Sequence, residues 1–60
     1  MEYTDTAYEA FLSLEQAISQ DFDERGESDF ADRLEEVIHV FGLNDDEIDQ
    51  VKWLYDNEVY

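Results

Sequence analysis

The chain has no cysteine, no proline, two glycines and only three basic residues. Without cysteine, disulfides and thiolate metal sites are excluded as supports for a small core. Without proline, nothing in the sequence forces a long helix to break. No hydrophobic run approaches the ~20 residues of a membrane-spanning helix. The first residues also lack a basic segment followed by an apolar run, so we expect neither a signal peptide nor membrane contact, and a cytoplasmic location.

What the chain has in excess is acid. Eighteen of its 60 residues are Asp or Glu, and the formal net charge is −15. A protein with this much negative charge repels nucleic acid and attracts basic surfaces. Direct binding to nucleic acid is therefore disfavoured. Disorder is a rival interpretation for such a composition. Hydrophobic residues nevertheless make up 43% of the chain and aromatic residues 15%, which favours a folded core.

Apolar residues recur at helical spacing in three segments, separated by Gly26 and Gly42. The sequence predicts a single all-α domain over residues 1–60, a three-helix bundle with helices at about 5–21, 29–41 and 45–57. Thr4 or Asp5 is suited to cap the first helix. The apolar stripes are Ala7, Phe11, Leu14 and Ile18; Phe30, Leu34, Val37, Ile38 and Phe41; and Ile48, Val51, Leu54 and Tyr55.

Capping signals mark the second and third helices. Ser28 is a suitable N-cap for the second helix, and Gly42 suits the left-handed position that follows its last residue. Asn44 and Glu47 form a capping box for the third helix. Because residues 42–44 alone connect these two helices, we expect them to pack as neighbours.

Residues 21–32 resemble the calcium loop of an EF-hand, with acids at loop positions 1, 3, 9 and 12 and Gly26 at position 6. The match is incomplete. Arg25 places a cation where an oxygen ligand belongs, and Asp32 replaces the usual bidentate glutamate. We expect a capped turn there, with no metal and no cofactor.

Catalytic chemistry has little support in the sequence. His39 is the single histidine, and no cysteine or suitably spaced nucleophile accompanies it. So short a chain also leaves little room for a substrate cleft. We therefore expect the protein not to be an enzyme.

Acidic side chains follow the outward faces of the second and third predicted helices. Helical residues three or four apart lie ~5–6 Å apart, so such rows approximate the closely spaced charges of a nucleic-acid backbone. These rows are the predicted partner-binding surface: Asp29, Asp32, Glu35 and Glu36 on the second helix, and Asp45, Asp46, Asp49 and Asp56 on the third.

Aromatic side chains outside the apolar stripes are candidate anchors for a partner. Trp53 lies off the stripe of the third helix, beside acidic residues, and Tyr3, Tyr8 and Tyr60 are further candidates. In such a small domain, an equally good interpretation is that Trp53 covers the edge of the core and does not contact a partner.

The acidity has a simpler explanation as well. Acidic residues in a first helical turn favour the helix dipole without any partner, and an acidic surface also suits a protein from a salt-loving organism. Solubility alone does not explain the excess of acidic over basic residues, because a solvated helix face normally carries charges of both signs.

With its two acidic rows, short helical chain and lack of a catalytic set, the sequence resembles the small acidic phage-encoded inhibitors that mimic DNA, including anti-CRISPR and anti-restriction proteins. The resemblance implies an inhibitor in the host cytoplasm that blocks the basic nucleic-acid-binding site of a defence or DNA-processing protein, such as a CRISPR effector or restriction complex. The alternative is a small helical adaptor whose acidity serves solubility. A homodimer is compatible with either interpretation.

Overall fold

The structure is a computed structural model that describes residues 2–59 and the side chains of residues 2–58. It contains three α-helices, α1 (Asp5–Arg25), α2 (Phe30–Phe41) and α3 (Asp45–Leu54), followed by a π-helical segment, Tyr55–Val59. The described part has no strand. The predicted all-α three-helix architecture is therefore confirmed. Within residues 2–59, no helix combines the length and apolarity needed to cross a lipid bilayer.

The first helix is one turn longer than predicted. It was expected to end near residue 21, but α1 continues to Arg25 and ends at Gly26, which has a φ of 75°. The Gly26 amide donates to the Phe22 carbonyl at 2.9 Å. Glycine adopts this left-handed conformation without steric cost, so it sets the end of the helix.

The second helix begins with a different cap from the one predicted. Asp29, not Ser28, is the N-cap of α2, and its carboxylate accepts hydrogen bonds from the amides of Ala31 and Asp32. The expected left-handed Gly42 is confirmed at the other end, with a φ of 63°. An aspartate serves this position as well as a serine, because either side-chain oxygen satisfies the free amides of the first turn.

The third helix has the predicted start and a different end. The Glu47 amide donates to Asn44 Oδ1 at 2.8 Å, and the Asn44 amide donates to Glu47 Oε1 at 3.3 Å, which completes the capping box. The α-helix was expected to reach residue 57. It instead ends at Leu54, and the chain continues through the π-helical segment.

One apolar core joins the three helices. The predicted stripe of α1 is fully buried, as are Leu34 and Val37 of α2 and Val51 and Leu54 of α3. Ile38, Phe41 and Ile48 are half-buried against this core, and Phe30 is the exposed member of the predicted stripes. It is 36% exposed, and its ring packs at the edge of the core against Tyr55, with ring centroids 4.9 Å apart.

Helix α1 is the common partner of the other two helices. It packs along both α2 and α3, whereas direct packing between α2 and α3 is much smaller. The expectation that α2 and α3 pack as neighbours was therefore wrong. A short connection fixes only the ends that it joins, and the apolar stripes of α2 and α3 both face the longer stripe of α1.

Candidate partner-binding surface

A buried ion pair lies where α1 meets α2. The Asp21 side chain is 6% exposed and accepts from Arg33 through both oxygens, from Nε at 2.6 Å and from Nη2 at 2.5 Å. The Ser28 hydroxyl donates to the same carboxylate at 2.9 Å. A bidentate guanidinium–carboxylate pair combines charge with fixed geometry, so these contacts fix α2 against α1.

This environment favours the charged forms of both partners. The hydrogen bond from Arg33 lowers the pKa of Asp21 from its ordinary value of 3.8 to about 2, against the opposing effect of burial and with a further contribution from Ser28. The same hydrogen bond raises the pKa of Arg33. Asp21 is therefore ionised at neutral pH although it is buried.

The ion pair also changes the charge balance of the surface. Arg33 turns inward to Asp21, and Arg25 lies 3.8 Å from the same carboxylate. Lys52 is the remaining lysine or arginine, and it makes no ion pair within the described residues. Two of the three basic residues are thus directed at one buried acid, which leaves the surface acids with little compensation.

Nearly all of the acidic residues face solvent. Of the 18, Asp21 is buried, Glu15 and Glu47 are half-buried, and the other 15 are exposed. The exposed group includes all eight acidic residues of the predicted partner-binding surface. The rows belong to two helices that share α1 as their packing partner, so both rows are carried by one packed domain.

Some carboxylates on α2 already have partners within the chain. Asp29 caps the helix, and Glu36 accepts from Arg33 Nη1 at 3.3 Å. Glu35 Oε1 lies 3.9 Å from His39 Nε2, and both side chains are exposed. Asp32 has no ion-pair partner in the described part of the chain. The α2 row is therefore partly engaged in stabilising its own helix.

The row on α3 is the less compensated of the two. Asp45, Asp46 and Asp49 are exposed and make no ion pair within residues 2–59. Asp56 was expected to extend this row at α-helical spacing. It is exposed and lies in the π-helical segment that follows α3.

The aromatic candidates have different surroundings. Trp53 is half-buried and packs against the core, and its carbonyl accepts from Asn57 Nδ2 at 2.8 Å. Tyr3 is 47% exposed and Tyr8 is 40% exposed. Tyr60 lies outside the described residues. Among these candidates, the exposed rings that the structure describes are therefore those of Tyr3 and Tyr8 rather than that of Trp53.

The EF-hand-like segment does not form a calcium loop. Residues 21–25 are helical, and Asp21, which would be the first ligand, is turned to Arg33. No group of three or more acidic or histidine side chains in residues 2–59 could hold a metal ion. The acidic spacing in this segment instead supplies one buried ion pair and one helix cap.

Sequence reasoning missed the importance of Asp21 and Arg33. The signal was present, because Asp21 continues the apolar stripe of α1, three residues after Ile18 and seven after Leu14. An acid in a core stripe needs a cationic partner, and the chain contains only three lysine or arginine residues. The identity of the partner depends on how α2 crosses α1, which the spacing does not give.

Comparisons of the chain with protein-family models, with curated protein sequences and with solved structures found no match.

Proposed function

We propose that this protein is an acidic inhibitor that mimics the charge of nucleic acid. It binds the basic nucleic-acid-binding site of another protein, of the kind found in DNA-processing enzymes and in defence systems such as CRISPR effectors and restriction complexes. The inhibitor acts by occupying that site and performs no chemistry on its partner.

The uncompensated acidic surface is the observation that carries this proposal. Fifteen acidic residues are exposed, while Arg25 and Arg33 are directed at the buried Asp21. A protein that needed acid only for solubility would gain by placing its few cations among the surface carboxylates, where they relieve repulsion. Here Arg33 and Arg25 are directed at the core contact, and the exposed surface keeps a large excess of negative charge.

The mechanism has a long-range and a short-range part. The negative potential steers the inhibitor toward a groove lined with lysine and arginine and raises the rate of encounter. Close contact then pairs the exposed carboxylates of α2 and α3 with those basic side chains. Salt screens such attraction over about 10 Å at 0.1 M ionic strength, so binding should weaken strongly as salt is added.

The test is affinity capture from a host lysate with the tagged protein, followed by washes of increasing salt and by addition of duplex DNA. We expect a nucleic-acid-binding protein that is released by salt and displaced by DNA. The purified partner is then titrated with the inhibitor at low and high salt. A salt-resistant partner with no nucleic-acid function would favour the adaptor interpretation and contradict the mimic.

Two matched charge reversals locate the binding surface. The triple variant D45K/D46K/D49K should abolish binding to the captured partner while the far-ultraviolet circular dichroism remains helical. The control D23K/E24K/E27K makes the same change in net charge at exposed positions near the end of α1. We expect the control to keep most of the affinity. Equal losses in both variants would mean that net charge alone, without a defined surface, drives the association.

A further inference from the structure

The outward face of the first turns of α1 combines aromatic, apolar and acidic side chains. Asp5, Tyr8, Glu9 and Leu12 are all exposed and follow the spacing of one helix face. The Tyr3 ring stacks on the Tyr8 ring, with centroids 5.7 Å apart and an angle of 18° between the ring planes. We call the surface formed by these five residues the tyrosine face. The sequence predicted Tyr3 and Tyr8 as candidate anchors, but it did not place Asp5, Glu9 or Leu12 in the partner-binding surface.

The structure holds the tyrosine face in place from behind. The Tyr8 ring packs against the buried Phe11, with centroids 6.0 Å apart. Thr4, which follows Tyr3, is fixed to α3: its amide donates to Gln50 Oε1 at 2.9 Å, and its hydroxyl donates to Glu47 Oε2 at 2.7 Å. The exposed rings are therefore preorganised, which reduces the entropy cost of binding a partner to them.

Charge decides what kind of group this face accepts. Asp5 and Glu9 make no ion pair within the described residues, and the whole chain carries a net charge of −15. A second copy of the chain would bring another strongly negative surface to the same place, so self-association is opposed. A flat cation can stack on the tyrosine rings and form ion pairs with the carboxylates of Asp5 and Glu9.

Arginine has this chemistry and lysine does not. The guanidinium is planar, stacks on aromatic faces and donates to carboxylates through two parallel hydrogen bonds, whereas the ammonium of lysine is a compact, strongly hydrated charge. We propose that the tyrosine face is a docking site for arginine side chains of the basic partner, with Tyr3 and Tyr8 as the stacking surface. The inference rests on the proposed function and deepens it, because it adds selectivity for arginine to attraction by charge.

The experiment compares octa-arginine and octa-lysine peptides, which carry the same charge. Binding of each to the intact protein is measured by calorimetry at low salt, and the ring protons of Tyr3 and Tyr8 are followed by nuclear magnetic resonance. We expect octa-arginine to bind about two- to five-fold more tightly for each stacked arginine, as for cation–π contacts at exposed sites. It should also shift the ring signals of both tyrosines, whereas octa-lysine should leave them nearly unchanged.

Three variants isolate the role of the rings. Y3L/Y8L should lower the affinity for octa-arginine to that for octa-lysine, while Y3F/Y8F, which keeps the ring faces, should retain most of the preference. F22L removes an exposed aromatic ring from the same helix, 55% exposed and about 21 Å along the axis from Tyr8. We expect F22L to leave the preference unchanged. Circular dichroism and thermal unfolding check that each variant is folded.

The possible failures separate the two proposals. Equal affinity for both peptides in the wild type, or a preference that survives in Y3L/Y8L, would overturn the tyrosine face and leave the charge-driven function standing. If neither peptide binds, the proposed function fails and this inference fails with it. Sedimentation of the wild type as a dimer and of Y3L/Y8L as a monomer would identify the face as a self-association surface, which also overturns the proposal.

Discussion

The two ends of α1 are fixed to their neighbours by different kinds of polar contact. Near its C-terminal end, Asp21 is 6% exposed and paired with Arg33 of α2. At its N-terminal end, Thr4 donates to Glu47 and Gln50 of α3 through exposed hydrogen bonds. The contact between α1 and α2 is a buried ion pair, whereas the contact between α1 and α3 consists of exposed hydrogen bonds from the N-cap residue of α1.

The difference shows how an acidic chain divides its polar groups between stability and surface. A buried carboxylate must be fully partnered, because an unpaired charge in the interior is strongly destabilising. Exposed hydrogen bonds exchange with water and contribute less each. The stability contributed by the α1–α2 contact should therefore depend on charge and on pH. The stability contributed by the α1–α3 contact should depend mainly on the N-cap residue Thr4.

Truncation of a core side chain should lower the stability more than loss of either polar contact. Leu14 is fully buried in α1, and L14A should lower the free energy of unfolding by about 2–5 kcal/mol. In a domain of this size such a loss unfolds much of the population at room temperature. The control L12A truncates a leucine that is 43% exposed on the same helix. Urea unfolding should find L12A within about 0.5 kcal/mol of the wild type.

The next largest effect should come from the buried ion pair. D21N removes the carboxylate charge and leaves the Arg33 guanidinium, whose side chain is 30% exposed, without its buried partner. D21N should be clearly less stable than the exposed control D23N in thermal unfolding at neutral pH. If the two variants have the same stability, the pair between α1 and α2 does not stabilise the fold.

The stability difference between wild type and D21N should depend on pH. Because the folded-state pKa of Asp21 is about 2, below its ordinary value of 3.8, the ionised form stabilises the fold. That contribution is complete above about pH 5 and is lost as the pH falls from about 4 toward 2. The stability difference between wild type and D21N should therefore be constant from neutral pH to about pH 5 and then shrink. A constant difference down to pH 2 would contradict the lowered pKa.

A smaller effect is expected at the α1–α3 contact. Thr4 Oγ1 accepts from the Ala7 amide at 3.0 Å as the N-cap of α1 and also donates to Glu47. T4A should therefore cost about 1 kcal/mol of stability, as for other N-cap threonines. The matched control T6A changes an exposed threonine inside the first turn, where alanine is the better helix former, and should be neutral or slightly stabilising.

The smallest effect should come from Arg25. Its Nη2 lies 3.8 Å from Asp21, and its side chain is 63% exposed, so water and salt screen the attraction. R25Q should leave the thermal midpoint unchanged within error at physiological salt. A large loss would mean that both arginines, rather than Arg33 alone, neutralise the buried carboxylate.

Much of the fold was predictable because its signals are local. The stripe of α1, the capping box at Asn44 and the left-handed Gly42 depend on residues within one or two turns of each other. The errors arose where distant segments meet. Asp29 caps α2 while the Ser28 hydroxyl, the expected cap, donates to Asp21 of α1 instead. The exposure of Phe30 likewise depends on its position beside Tyr55.

Helical periodicity predicted the acidic part of the candidate surface but not its aromatic part. An outward acidic row follows from the apolar stripe opposite it, so the exposure of Asp32, Asp45 and Asp49 could be expected from helical periodicity. The tyrosine face was not expected as a unit. The stacking of Tyr3 on Tyr8 joins a residue before the helix to one inside it, and helical periodicity does not describe such a pair.

Spacing and composition are sufficient to predict three helices, an acidic surface and a scarcity of cations, because these signals act within short stretches of chain. Where the few cations lie and which aromatic rings stay exposed depend on how the helices pack. The crossing of α2 over α1 turned Arg33 to Asp21, and the packing of α3 placed Trp53 at the edge of the core while Tyr3 and Tyr8 remained outside. These outcomes depend on contacts between residues far apart in the chain, and local periodicity carries no information about such contacts.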